Sequence, residues 1–437
     1  MHDIIQRAKS AVDQAELYWN RKHSISVNYA NYRLQQVTED DVSEVSLRVV
    51  ADRKTGMSYA VFPDQEGLLE SAIEGAKFGD PATFSFAGPG SYPKVASYDE
   101  TTSKLSANDL IELCEGIKKR IQPHLPDVAL NVGAQLETSE LVIQTTEGAD
   151  AASKTTSAAY FFGAPFKGAG IGVFKFDLSV EAPEVSDELI ERFIEWYQWG
   201  NNSSTPSTGR LPVILAPEGS FLLLMPLLAG VVGDAVWKKT SPLTERLGEQ
   251  ILSEKLTVLD DPLRDKDPTA RIFDDEGVPC KTQTLVDQGV LKQFVFDQRT
   301  AAATGGTSTG NGFKRALFGG GNETPITPWL ACPVLQPGTT PFAEMVKDLD
   351  EGLLITNGMG FHSGNYPQGQ FAVQAIGFHI VKGEVVGRLD KTMISGNIYQ
   401  DFLKVRDLSA ETGPVSGFLS TGHSPYVLVD GLQVAGK

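Results

Sequence analysis

The six histidines, His2, His23, His124, His362, His379 and His423, are the first residues to test for chemistry, because hydrolytic zinc sites draw on them. A helix-borne site needs two histidines about one turn apart. No two stand so here, and neither HExxH nor HExxxH occurs. Cys114, Cys280 and Cys332 are equally scattered, with no CxxC pair. Spacing therefore supplies no metal-ligand set, and a site gathered from distant histidines is left to geometry.

Carboxylates cluster twice, at Asp260-Asp261 and at Asp274-Asp275-Glu276. Adjacent acids can hold a hard cation or divide acid and base roles. The same strings also build turns, because short acidic side chains cap nearby backbone N–H groups, and the structural reading is preferred. His362-Ser363-Gly364-Asn365 sets an imidazole, a hydroxyl and an amide in one glycine-rich loop. A Ser-His-Asp arrangement is a matter of geometry, and the GxSxG elbow is absent. Asp274, Asp275, Glu276, His362, Ser363 and Asn365 are therefore the candidate cavity-lining residues, and none is assigned a catalytic role. Gly305 to Gly312 fits neither phosphate-loop pattern and reads as a flexible surface loop, with a lid or partner contact as the alternative.

The elements that must position these residues fall into two textures. Up to about Trp199, helical and strand patterns alternate. Ile4, Ile5, Ala8, Ala11, Val12 and Ala15 recur at helical spacing, and strands follow at Ser24 to Tyr32, Val42 to Val50 and Gly56 to Phe62. A helix starts at Asp64. A second begins at Ser106, where Asp109 completes a capping box, and Lys118-Lys119-Arg120 suits its last turn. Further strands are expected at Val128 to Gln135, Leu141 to Thr146, Ala158 to Phe162 and Ile171 to Val180, so that helix plus strands occurs twice, as in an internal duplication. After a helix over Asp187 to Trp199, the polar run Gly200 to Ser207 marks a boundary. Beyond it, short extended apolar runs are punctuated by Gly277, Gly289, Gly383 and Gly431 at hairpin positions. The fold class is α+β: an N-terminal α+β domain over 1–206 with helices on antiparallel sheets, then a large, mostly antiparallel β domain over 207–437, barrel-like or sandwich. With 437 residues, two domains are the natural division.

A net charge of −17 with scattered Lys and Arg excludes the electrostatics of nucleic-acid binding. Three unpaired-looking cysteines and no apolar leader point to the cytoplasm. The longest apolar run, Phe221 to Val232, is too short to span a bilayer and reads as a buried segment.

In its second half the chain resembles the TldD/TldE (PmbA) peptidase family. The resemblance runs through Val232-Gly233-Asp234-Ala235-Val236, Lys239-Thr240-Ser241-Pro242-Leu243 and Asp260-Asp261-Pro262. It continues through Phe273 to Pro279, Asp287-Gln288-Gly289-Val290-Leu291, Gly360 to Asn365, Ile394-Ser395-Gly396-Asn397 and Val434-Ala435-Gly436. It covers Leu211 to Lys437, with a weaker match at Val45 to Val50 and the helix after Asp64. The resemblance implies paired subunits, of which the TldD type carries HExxxH and a later cysteine as zinc ligands. Here Leu224, Met225 and Ala229 fall where the first His, the Glu and the second His would stand, and Pro226 is expected to disturb a helix. Gln368-Gly369-Gln370-Phe371 departs from the family's Thr-Gly-Asp-Phe-Ser string and removes an acid and hydroxyls from that loop.

The resemblance implies a TldE/PmbA-like subunit with no catalytic residue or cofactor of its own, zinc being held by a TldD-like partner. Activity is expected only with that partner, as degradation of unfolded or short peptides or maturation of modified ones. A β-strand edge is expected to help present peptide. Two other readings stay open. One is a homodimer, pairing with a second copy of itself, that binds peptide without hydrolysis. The other is an autonomous hydrolase built around His362 and Asp275. Family naming speaks of DNA gyrase, but the acidity gives no support for direct nucleic-acid contact, and no membrane contact is expected.

Overall fold

The computed structural model describes residues 2–316, 319–360, 364–415 and 422–436. Its first half is one wholly antiparallel sheet of six strands: β1 (Gln14–Ala30), β2 (Arg33–Ala51), β3 (Lys54–Ala60), β4 (Asn131–Thr145), β5 (Asp150–Pro165) and β6 (Gly172–Ser179). Their order is β3-β2-β1-β4-β5-β6, so two three-strand meanders meet along β1 and β4. Helices α1 (His2–Lys9) and α2 (Leu68–Ala76) flank the first meander, α3 (Ala107–Ile121) and α4 (Asp187–Trp199) the second. The expected repetition of helix plus strands is therefore visible in the topology.

Several boundaries differ from expectation. Ala15 belongs to β1, because the helical spacing ends at Lys9 and strand pairing with Val49 begins. The helix expected at Asp64 starts at Leu68, after Gly67 in the left-handed region (φ 83°). The two strand pieces expected at 128–135 and 141–146 are one strand, β4, since its pairing with β1 continues through the polar middle. The capping box at α3 is present: Ser106 N–H donates to Asp109 at 2.6 Å, and Asp109 N–H donates to Ser106 Oγ at 3.4 Å. Helix α2 lies so close to β3 that a Cβ on Gly56 would stand 2.1 Å from the Ala72 carbonyl, which makes glycine the residue that permits this packing.

The second half is a larger mixed sheet. Strand Gly209–Leu215 lies between Gly422–Ala435, antiparallel to it, and Glu351–Met359, parallel to it. Glu351–Met359 pairs with Gln370–Val381, which pairs with Met393–Asn397, which returns to Gly422–Ala435. Five strands thus close into a barrel-like ring, and most pairings are antiparallel. Gly289 and Gly383 do occupy hairpin turns with positive φ. Gly431 instead sits at an irregularity inside Gly422–Ala435, where the register with Gly209–Leu215 shifts.

One face of each ring strand shares a core with helix α5 (Phe221–Val231), through Val213, Leu353, Val373, Ile394 and Val427. The other face, through Ile214, Leu354, Phe378 and Leu428, packs in one core with residues of β1, β4 and β5 and of α3 and α4. Phe378 is the centre of that seam, with ring centroids 5.7 Å from Trp196, 5.4 Å from Trp199 and 6.2 Å from Phe166. Beside it Lys175 of β6 pairs with Glu218 at 2.6 Å and lies 3.3 Å above the Trp196 ring. The two halves are joined by an aromatic seam with this ion pair at its side. Among the described residues no helix is long and apolar enough to cross a membrane.

Candidate functional site

The helices cover only one face of the six-stranded sheet. On β1, Leu17, Ile25 and Val27 turn toward the helices, while Tyr18, Asn20, Lys22 and Ser24 turn the other way, as the period of two requires. That second face is polar and, with segments 268–271, 314–316 and 319–322, borders a cavity of about 900 Å³. Asn322 fastens the covering loop to the sheet by donating to the Val45 carbonyl at 2.8 Å.

Of the acidic run 274–276, all expected at a cavity, only Asp275 lines this one; Asp274 and Glu276 alternate away from it and are held by the chain. Phe273 anchors the run, 1% exposed and edge-on to Tyr92 at 5.3 Å. Asp274 is fully buried and accepts three backbone N–H groups, from Glu276 at 3.0 Å, Val278 at 2.9 Å and Gly312 at 2.8 Å. Gly277 closes the turn at φ 75°, which a side chain would strain. Glu276 accepts from Gln298 N–H at 2.7 Å and stands 3.4 Å from Arg48, itself held by Glu16 in a bidentate pair at 2.7 Å. Burial, opposed by Arg48 but helped by Asp297 and Glu16, pushes the Glu276 carboxyl up to about 8. Burial and Glu276 likewise raise Asp274.

Asp275 points the other way and lines the cavity. Its Oδ2 accepts Lys314 N–H at 2.8 Å, while its buried Oδ1 has no hydrogen-bond donor among the described residues. The nearest cation to Oδ1 is Arg271, at 3.9 Å. Arg315 also lines the cavity; burial and repulsion from Arg271 push it down to about 10. Lys314 is 3% exposed, donates to the Asn322 carbonyl at 2.9 Å and sits 5.0 Å over the Tyr18 ring. Burial and Arg48 push its ammonium down to about 8. No histidine or cysteine is among the described lining residues. The arrangement can bind a polar chain; it offers no paired nucleophile and base.

The other expected residues separate from it. Asn365 is exposed and serves as the N-cap of the single turn Tyr366–Gln368, away from the cavity. His362 and Ser363 lie outside the described residues. Asp260 is structural: fully buried, it accepts from Asn311 at 2.7 Å and from Cys332 N–H at 2.8 Å. Asn311 also corrects the reading of 305–312 as surface loop. Residues 302–307 are exposed, but 310–312 are buried because this amide bridges Asp260 and the Trp329 carbonyl.

Leu224 and Met225 are 0% and 3% exposed, in the core shared with the ring, and Ala229 follows on the same helix. Leu and Ala carry no donor atom, so these positions do not fit zinc. Pro226 does not interrupt α5, which runs unbroken from Phe221 to Val231. Its missing N–H costs one bond to Leu222, and close apolar packing holds the turn.

The structure also brings together a set that spacing could not reveal. Asp267, Cys332 and His423 have their ligand-type atoms within 4.8 Å of one another, although His423 is 156 positions from Asp267. These are zinc-type donors. Both carboxylate oxygens are nevertheless engaged, Oδ1 by Thr269 at 2.6 Å and Oδ2 by His423 at 2.7 Å and Arg264 at 3.2 Å. Burial works to raise Asp267, but the His423 and Thr269 bonds hold it at about 2. Burial pushes the Cys332 thiol up to about 12.

Comparison with known proteins bears on both regions. Residues 208–436 match the PmbA/TldA metallopeptidase C-terminal domain, and residues 15–77 match domain 1 of the same group. An uncharacterized protein of Methanocaldococcus jannaschii is 23% identical over 89% of this chain and 90% of its own length. A zinc metalloprotease TldD homolog of Saccharolobus solfataricus is 27% identical over 53% of each chain, so this chain spans about half of that relative. Metalloprotease PmbA of Escherichia coli O157:H7 is 30% identical over 44% of this chain and 39% of its own. The crystal structure of TldE from Thermococcus kodakarensis superposes with a TM-score of 0.90 at 26% identity over 100% of both chains. A Thermotoga maritima structure named for modulation of a DNA gyrase gives 0.84 at 25% identity, again over 100% of both chains.

Proposed function

Since this chain belongs to the TldD/TldE (PmbA) family of metallopeptidases, we propose that it is the family's metal-free type of subunit. It supplies cavity wall and peptide-holding surface to a zinc-bearing relative that carries HExxxH. The observation that carries this reading is α5. Leu224 and Met225, at the positions the zinc motif would occupy, are sealed in the core of the ring, so the helix is given over to packing. The polar cavity beside Asp275 is then the surface left for substrate, and the zinc, the activated water and the general base come from the partner.

The test is peptide hydrolysis by the purified chain alone and mixed with a TldD-like protein, with metal measured on the same samples. No hydrolysis alone and hydrolysis on mixing is the expected result. Hydrolysis by the chain alone that a chelator abolishes would overturn it. A second reading, peptide binding by a homodimer without hydrolysis, draws on the chemistry of the cavity, whose described lining offers polar side chains but no paired nucleophile and base. It predicts peptide binding that is unchanged by the partner and never followed by cleavage.

A further inference from the structure

We propose that Arg271, Arg315 and Asp275 form a subsite for the C-terminal residue of a peptide, the guanidinium groups taking its α-carboxylate and Asp275 Oδ1 its last backbone N–H. This rests on the reading that the cavity receives peptide, and it names the end of the peptide that is recognised.

Three observations converge on this subsite. Asp275 is 3% exposed and lines the cavity, and its buried Oδ1 finds no donor among the described residues. A buried acceptor left without a partner is costly, so a donor from outside the chain is the natural complement. Arg271 makes no side-chain hydrogen bond among the described residues, and its only ion pair is the 3.9 Å approach to Asp275. Arg315 makes no ion pair among the described residues, and its guanidinium donates only to the Leu330 carbonyl, at 3.3 Å. The two guanidinium groups repel each other, and Asp275 is the leading attraction on both, so an anion placed between them adds a partner that neither has to itself.

The ligand must therefore carry an anionic acceptor and a neutral donor a short distance apart. The last residue of a peptide does, since its carboxylate and its N–H share one Cα. A divalent cation suits Asp275 but is repelled by both arginines. Phosphate suits the arginines but brings no N–H to Asp275. Hydroxyls of Ser24, Ser139, Thr155 and Ser157 line the adjoining walls and can serve backbone groups of any sequence.

The test uses the full chain without any partner, and an N-terminally labelled pentapeptide of mixed sequence with either a free or an amidated C-terminus. Binding is read by fluorescence anisotropy. Amidation is expected to weaken binding about tenfold or more. Arg315→Gln and Arg271→Gln should each make the two forms bind alike, and Arg315→Lys should keep part of the preference. Asp275→Asn should weaken both forms while keeping the preference for the acid. Equal binding of both forms by the unaltered chain overturns the subsite and leaves the peptide-holding cavity standing. No binding of either form overturns both. Competition by inorganic phosphate as strong as that of an N-acetyl amino acid overturns the contact assigned to Asp275. The unaltered chain alone decides these outcomes, so a variant that fails to fold does not remove the test.

Discussion

Helix α5 and the run 273–277 are both buried, and they are buried in opposite ways. Ten of the eleven residues of α5 are buried, with apolar side chains all round the helix, and its neighbours are the strands of the ring. The 273–277 run hides three consecutive carboxylates and has to find partners for each. Asp274 meets three N–H groups, Glu276 meets one N–H and a guanidinium, and Asp275 is left with an oxygen unsatisfied at the cavity wall. Burial alone therefore does not mark a site. What distinguishes the second region is a carboxylate at a cavity wall with one oxygen for which the described residues supply no donor.

The sharpest way to break this contrast is to put a charge into α5. Leu224→Asp should cost about 4 kcal/mol or more, because it buries a carboxylate among the apolar side chains of the ring core, and urea unfolding should show it. If the variant folds as well as the parent, α5 is not sealed. Next in size is Asp274→Ala, which strands three buried N–H groups and should cost about 3 kcal/mol in the same measurement. A smaller loss would mean that the turn rearranges and that Asp274 is not its anchor.

Glu276 sharpens the contrast through pH. Its folded carboxyl is raised from 4.5 to about 8, so between those values the fold keeps a proton that the unfolded chain has released. The contribution is full below the unfolded value and is lost as pH rises through the folded one. Stability should therefore fall between pH 5 and pH 9, and Glu276→Gln should flatten that slope. The smallest effect is expected at Asn365. It is exposed and remote from the cavity, so Asn365→Ala should shift stability by less than about 0.5 kcal/mol and leave peptide binding unchanged.

How legible these regions were depends on the range of the interactions involved. The capping box at Ser106, the buried character of Phe221 to Val232 and the β-rich texture after Arg210 follow from local spacing, and the structure has them. The acidic run was legible as a turn, but its three carboxylates were expected at the cavity alike, and only Asp275 lies there. What turned one carboxylate of three toward open space was not legible, because that depends on Gly312, Lys314 and Gln298 arriving from elsewhere in the chain. Arg271 and Arg315 carried no signal either, since an isolated arginine in a loop looks like any other. The same holds for Asp267, Cys332 and His423, which only the folded sheet brings together. Pro226 misled because its local penalty was weighed without the packing that offsets it.

The aromatic seam has a consequence for how the chain is made. Residues through Trp199 leave the ribosome well before Phe378 is synthesised. The six-stranded sheet can pair by then, but Phe166, Trp196 and Trp199 lack the surface that covers them. The nascent first half must wait, sticky, for a strand nearly two hundred residues away. Contacts of such separation slow folding and lengthen exposure to aggregation. A chain ended at residue 206 should accordingly be recovered with chaperones or as aggregate, and co-expression of 207–437 should rescue it.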